Sequence, residues 1–342
     1  MPLGLNATQL AHCEEFRPSA EHVLARVSRV DATQLVLSYL DGSTVVVDSD
    51  WRSFPPVTGD WMWCPPAESM AARAHVPRLS EITRAGRKGV RTLVANIDYV
   101  WLCVTIDEAV RSRLVERLAA IGWDSGATPV FVITKTDLLS AESATLARRS
   151  VRDVSAGIDV FCTTTVTMGS GGIGELATLF AEPSTSALIG HSGVGKSALI
   201  NAITGEDQQR LGRVRERDAK GRHTTTSRQL FEIPGTQSTL IDTPGLREFG
   251  LAVADGVIDD VFNEIDTLSN ACRFNDCNHA DEPGCAISAA VETGTIDRRR
   301  LESYQQLQRE SAFNNAKALP ARRDKDKEYT RMAREYRRTR GR

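Results

Sequence analysis

Between His22 and about Pro77, apolar and polar positions alternate in short runs. HVLARVSRV, QLVLSYL and STVVVDS read as β-strands, and VTGDWMWC follows as another, entered from a glycine turn. Asp41-Gly42 joins the second run to the third. Such a pair marks a tight hairpin, because both residues tolerate positive φ. Four or five short strands in about sixty residues predict a small closed or nearly closed barrel, of which the OB-fold is one form. Trp51, Trp61 and Trp63 lie within it, either as stacking platforms for bases or, the commoner case, as core. The residues before His22 show no pattern of this kind and read as a loose leader.

From about Ile82 to Phe249 the periodicity changes. DYVWLCVTI, PVFVITK, IDVFCTTT, TSALIGH and STLIDT are continuous apolar runs, the signature of strands covered on both faces. EAVRSRLVERLAAIG, ESATLARRSVRDV, IGELATLFA and GKSALINAITG carry helical spacing between or after them. Strand and helix in alternation predict a parallel α/β sheet. RRRLESYQQLQRESAFNNAKA, further on, reads as a surface helix or helix pair.

Composition narrows the class. No window approaches twenty uncharged apolar residues, so no membrane-spanning helix is expected. MPLGLNATQLAHCEEF lacks a basic and then apolar signal, so the cytoplasm is the expected compartment. Seven cysteines fit a reducing compartment better than a disulfide framework. Lys317 to Arg342 holds eleven Lys/Arg against four Asp/Glu, a net of +7, so with −2 for the whole chain the remainder carries −9. A basic tail on an acidic body suits a polyanionic partner or simply a solvated helix.

The candidate chemistry lies at strand ends. GHSGVGKS, from Gly190 to Ser197, fits G-x-x-x-x-G-K-[ST] between a strand and a helix. Its glycines let backbone N–H groups wrap phosphate, and the helix N-terminus adds partial positive charge. Lys196 is placed to reach the β- and γ-phosphates and Ser197 to ligate Mg²⁺. The phosphate cradle is therefore expected to comprise Gly190, His191, Ser192, Gly193, Val194, Gly195, Lys196, Ser197 and Ala198, with His191 at a variable position. Asp242-Thr243-Pro244-Gly245 fits D-x-x-G, with Asp242 on Mg²⁺ through water and the Gly245 N–H sensing the γ-phosphate. GRHTTTS, from Gly221, sits where a switch loop with a Mg²⁺-ligating threonine belongs, and Thr225 is the choice among Thr224, Thr225 and Thr226.

Thr134-Lys135-Thr136-Asp137 fits [NT]-K-x-D. The Asp137 carboxylate can accept from guanine N1–H and the exocyclic amine, a donor pair that adenine lacks. Thr164 and Thr165, in TTTVTMG, fall where a loop over guanine O6 is expected. The base loop thus precedes the phosphate loop, the reverse of an ordinary small GTPase. Cys272, Cys277, His279 and Cys285 give C-x₄-C-x-H-x₅-C in a polar, turn-rich stretch, which predicts one structural zinc per chain. Cys13, Cys64, Cys103 and Cys162 are isolated and read as filling space.

This motif order, with GDW, VANIDYV, TKTDL, GHSGVGKSALINAI, GRHTTT, DTPGLREFGL and CRFNDCNHADEPGC, resembles the RsgA family, the ribosome small-subunit-dependent GTPase A of bacteria, over roughly residues 22 to 310. The resemblance implies an OB-fold RNA-binding domain at 22–78, a circularly permuted P-loop GTPase domain at 82–250 and an α-helical zinc-binding domain at 251–316, between the leader read at 1–21 and the basic tail at 317–342. It also implies a cytoplasmic, monomeric GTP hydrolase with no membrane partner. Such an enzyme binds GTP or GDP with Mg²⁺ and assists late maturation of the small (30S) subunit through its rRNA, and the subunit stimulates it. Two other readings are a nucleotide-occupancy sensor or RNA-binding module with negligible turnover, and a permuted GTPase of the large subunit. Leu246 follows Gly245 where many relatives of Ras carry a water-orienting glutamine. The resemblance points instead to His223 as the group that positions water, the alternative being an RNA contact or loop brace. The family usually has Asn where Thr134 stands.

Overall fold

The computed structural model describes residues 3–31, 33–48, 55–65, 73–86, 89–138, 140–155, 157–164, 173–205, 228–243, 253–254, 256–274, 276–279 and 282–316. The residues assigned to a leader begin with a helix. In α1 (Ala7–Glu15), Asn6 caps the first turn by accepting from the Gln9 N–H at 2.8 Å. Leu3 and Leu5 are buried, and the Gly4 N–H donates to the Gln237 carbonyl at 2.9 Å. Residues 3–15 are therefore integral to the fold, a correction of the loose leader. Two apolar residues flanking a glycine were too short a pattern to announce it.

Strands β1 (Val23–Val30), β2 (Gln34–Tyr39), β3 (Thr44–Asp48), β4 (Trp61–Cys64) and β5 (Ala74–His75) form an antiparallel sheet in the order β3-β2-β1-β4-β5. The β2–β3 turn contains Gly42 at φ 87°, as the Asp-Gly pair predicts. No pairing joins β3 to β5 among the described residues. Trp61 and Trp63 are buried, with their ring N–H groups donating to Gln9 Oε1 and the Cys13 carbonyl. They are core, which overturns the stacking option for both; Trp51 lies outside the described residues. A hairpin of β6 (Glu81–Gly86) and β7 (Gly89–Ala95) follows.

Strands β8 (Tyr99–Thr105), β9 (Thr128–Thr134), β10 (Asp159–Cys162), β11 (Thr185–Ile189) and β13 (Thr239–Asp242) run parallel in the order β10-β9-β8-β11-β13. Successive strands build outward from β8 to one side and then, from β11, to the other. That reversal opens a crevice at the carboxyl ends of β8 and β11, the usual ligand position of an open α/β sheet. Helices α2 (Ile106–Ala109), α3 (Ser112–Asp124), α4 (Ala141–Arg152) and α5 (Lys196–Thr204) accompany the strands. Ile173–Phe180 has a helical pattern but forms a 3₁₀ helix. Its apolar residues Ile173, Leu176 and Leu179 recur every three positions, the 3₁₀ repeat.

The antiparallel β12 (Arg228–Glu232) lies beside β13 and also pairs with β1, through Arg29 opposite Gln229 and Val30 opposite Arg228. One continuous sheet therefore contains both units. At the amino ends of the parallel strands the units share a buried polar junction. Arg26, fully buried, donates to Thr185 Oγ1 at 2.7 Å, to the Asn96 carbonyl at 2.8 Å and to the Leu3 carbonyl. Its guanidinium lies 4.6 Å from the Trp61 ring centroid. Burial draws its pKa down to about 10, with Asp98 pulling the other way. Asp98 accepts from the Thr185 N–H, Asn6 Nδ2 and Gln9 Nε2, yet burial still leaves its carboxyl above the ordinary value.

Helices α6 (Val257–Val261), α7 (Asn263–Ser269), α8 (Ala286–Glu292) and α9 (298–316) form the C-terminal unit, against α3. Glu116 on α3, fully buried, accepts from Arg300 at 2.8 Å and from the Ser303 hydroxyl. Arg117 pairs bidentately with Glu310 at 2.6 and 2.7 Å.

Candidate functional site: a nucleotide crevice and a metal cluster

The phosphate loop leaves β11 at Gly190. A Cβ on this residue would lie 2.5 Å from the Cys103 carbonyl, so only glycine lets the loop pass β8 there. Gly195, at φ 117°, turns the chain into α5. Lys196 is buried, and its ammonium donates to the Gly190 and His191 carbonyls at 2.8 and 3.0 Å. Burial lowers its pKa, opposed by Cys103, Asp242 and Glu108. Val194 is buried beneath the loop, while Ser192, Gly193 and Ala198 are exposed and Ser197 is half-buried.

The base loop follows β9 on the neighbouring side of the crevice. The Thr134 hydroxyl donates to the Val194 carbonyl at 2.6 Å, bridging the base loop to the phosphate loop. Lys135, held at φ 58°, sends its ammonium to the Gly193 carbonyl at 2.7 Å. Thr136 donates through its hydroxyl to the Thr163 carbonyl at 3.0 Å. Thr164 donates to Asp137 Oδ1 at 2.6 Å, which orients that exposed carboxylate. Thr164 and the base loop are thus brought together. Asp242 is half-buried at the end of β13, and the Thr243 hydroxyl after it donates to the Leu188 carbonyl. Thr165, His223, Thr225, Gly245 and Leu246 lie outside the described residues.

A further group at this crevice is Glu108, which sequence reasoning missed. It occupies the third position of α2, where its Oε2 accepts from the Thr105 N–H at 3.0 Å. Its Oε1 meets His191 Nδ1 at 2.7 Å. Burial alone would raise its pKa, but the Thr105 and His191 hydrogen bonds prevail and hold the carboxyl below the ordinary value. The Thr-x-x-Glu pattern straight after a buried strand is a capping-box signal that could have marked it.

In the C-terminal unit, ligand atoms of Cys272, Cys277, His279 and Cys285 all lie within 4.8 Å of one another. Cys272 Sγ is 3.7 Å from His279 Nδ1 and 4.0 Å from Cys285 Sγ, and Cys285 Sγ is 3.8 Å from His279 Nδ1. A tetrahedral zinc site with bonds of about 2.3 Å to sulfur has edges of about 3.8 Å. The residues therefore fit zinc in both donor type and spacing. His279 adopts φ 58°, and Gln305 on α9 donates to its carbonyl at 3.1 Å.

A phosphate loop, a base loop and the aspartate that opens a D-x-x-G sequence around one switch-point crevice define a P-loop GTPase, here with its motifs in permuted order. The RsgA GTPase family profile matches residues 75–252. A Streptomyces avermitilis relative called small ribosomal subunit biogenesis GTPase RsgA is 41% identical over 91% of this chain and 85% of its own length. A Lactiplantibacillus plantarum RsgA 2 is 42% identical over 75% and 72%, respectively. The crystal structure of YjeQ from Thermotoga maritima superposes with a TM-score of 0.59 at 23% identity, covering 85% of this chain and 99% of that one. YloQ, described as a circularly permuted GTPase, gives a TM-score of 0.54 at 19% identity, with 86% and 96% covered. The chain belongs to the RsgA GTPase family.

Proposed function

We propose that this chain hydrolyses GTP during maturation of the small ribosomal subunit, docked on that subunit's rRNA. The observation that carries the reading is the 2.6 Å bond from Thr134 to Val194. It closes the base loop onto the phosphate loop across 60 residues of permuted sequence, in a chain of the RsgA family. Asp137, oriented by Thr164, selects guanine. Lys196 exchanges its two loop carbonyls for β- and γ-phosphate oxygens when GTP enters. Ser197, Thr225 and Asp242 would hold Mg²⁺, which would supply charge neutralisation on those oxygens. His223 positions the attacking water, since Leu246 cannot. Positioning is most of phosphoryl-transfer catalysis, so a subunit that orders His223 accelerates turnover.

In this reading the N-terminal strands form an OB-type barrel which, with the basic tail from Lys317, supplies RNA contacts that weaken with salt. Zinc in the Cys₃His cluster holds the C-terminal helices together, and the protein acts as a cytoplasmic monomer. The test is GTP turnover alone, with purified small subunits and with large subunits, at low and raised salt. Stimulation by the small subunit alone, abolished by salt and absent in His223→Ala, supports the reading. No stimulation at low salt favours the occupancy sensor, and stimulation by the large subunit moves the partner. Metal analysis should find about one zinc per chain.

A further inference from the structure

We infer that His191 and Glu108 form a positioning pair for the phosphate loop, in which the imidazole shields the Glu108 carboxylate from the nucleotide's phosphates. The inference rests on the reading that those phosphates sit in the 190–197 loop. Three observations carry it. The first is geometry: His191 Nδ1 lies 2.7 Å from Glu108 Oε1, joining the loop after β11 to the helix after β8. The second is rigidity. Glu108 Oε2 is fixed by the Thr105 N–H, and the Glu108 side chain is only 15% exposed, so this carboxylate has little freedom to turn toward water. The third is location. The His191 carbonyl accepts from Lys196 at 3.0 Å, and among the described residues Asp242 and Glu108 are the carboxylates that act on that ammonium.

The chemistry follows from charge. Asp242 has a Mg²⁺ role in the proposed reading, but Glu108 has none, so beside two or three phosphates its charge repels strongly unless a hydrogen bond offsets it. Glu108 is ionised, so the proton between it and His191 belongs to Nδ1, and the imidazole is the donor. The bond occupies one carboxylate oxygen, as the Thr105 N–H occupies the other. It also fixes the side chain of the first loop residue after Gly190, and with it the peptide whose carbonyl Lys196 must release. His191 and Glu108 are positioning residues, since neither contacts the reacting atoms.

A structural brace and a charge shield make different predictions. Binding of GTP, GDP and GMP would be titrated at fixed Mg²⁺ against the parent protein, His191→Ala, Glu108→Gln and the double variant. For His191→Ala, GTP affinity should fall about ten-fold, GDP affinity less, and GMP affinity by less than about two-fold. Adding Glu108→Gln in the same chain should return GTP affinity to within about three-fold of the parent, because the unshielded charge is gone. GMP binding also reports that each variant retains a folded base site. Parent-like GTP affinity in His191→Ala would overturn the proposal, as would an equal loss for GMP or a double variant no better than the single. A parent protein that binds no GTP overturns the nucleotide reading and this proposal with it.

Discussion

At the carboxyl ends of β8, β9 and β11, the polar groups face an open crevice and rest on loop carbonyls, as Lys196 rests on Gly190 and Lys135 on Gly193. At the amino ends of the same sheet, the buried Thr185, Arg26 and Gln9 meet the half-buried Asp98 and Asn6 in a mutually bonded cluster. One end holds its charges in provisional bonds that a ligand can replace. The other bonds its groups to one another and so fastens the N-terminal unit to the GTPase sheet. The difference separates binding energy from folding energy along a strand of seven residues such as β8. Substitutions at the two ends should affect different measurements.

The largest effect is expected at the closed end. Arg26→Ala leaves the Leu3 and Asn96 carbonyls without a buried donor and Asp98 without its nearby cation. It should cost about 3–5 kcal/mol in urea unfolding. GTP affinity of the protein that remains folded should stay within about two-fold; a larger loss would show that the ends are coupled. Lys196→Ala is the converse. Turnover should fall about 10²- to 10³-fold, with unfolding free energy changed by less than about 1 kcal/mol, since removing a buried cation offsets lost packing.

Acid should sharpen the contrast. Asp60, fully buried beside the junction, is bonded by Arg78 at 2.7 and 2.9 Å and by His75 at 3.2 Å. Burial raises its pKa, but the interactions with His75 and with the Arg78 guanidinium outweigh it and hold the carboxyl far below its ordinary value. The unfolded chain therefore takes up this proton first. The stabilisation is complete above the unfolded carboxylate pKa of about 3.9 and is lost as pH falls below it, at up to about 1.4 kcal/mol per pH unit. Asp60→Asn should start less stable and lose that much less per unit between about pH 4 and pH 2.5, as followed by circular dichroism. Equal slopes for the two proteins would refute the assignment. The smallest effect belongs to Thr134→Val, which leaves the Val194 carbonyl without its hydroxyl donor. GTP affinity should fall about three- to ten-fold, equivalent to about 1 kcal/mol, as read by nucleotide titration.

The same division explains what the sequence made legible. Crevice residues announce themselves because backbone geometry demands glycine at fixed spacing: Gly190 for close approach to Cys103 and Gly195 for positive φ. The Cys₃His cluster is equally compact, with its four candidate ligands in one turn-rich stretch. The parallel strands were readable because burial on both faces makes their apolar runs continuous. The junction was not, because Leu3, Gln9, Arg26, Asn96, Asp98 and Thr185 share no spacing and each looks ordinary alone. Only the fold brings them together. The β6–β7 hairpin escaped because TRAGRKGVRT is charged and glycine-rich, without the alternation that marks a strand. Thr134 departs from the family's usual asparagine, yet its shorter side chain still reaches the phosphate loop, which sequence comparison of side-chain length would not suggest.

The pairing of β1 with β12 bears on how freely such a chain could have been assembled from parts. A GTPase sheet ending at β12 would leave a row of unsatisfied backbone donors and acceptors along Arg228 to Glu232, a template for a neighbouring copy's strand. Here β1 pairs with the first two residues of that margin, Arg228 and Gln229, and so shortens the edge open to self-association. A lineage that lost those strands would have needed charges, a proline or a bulge on β12 before the remainder could stay dispersed at cellular concentrations. Even this short pairing ties the N-terminal unit to the dispersal of the GTPase sheet as well as to whatever it binds.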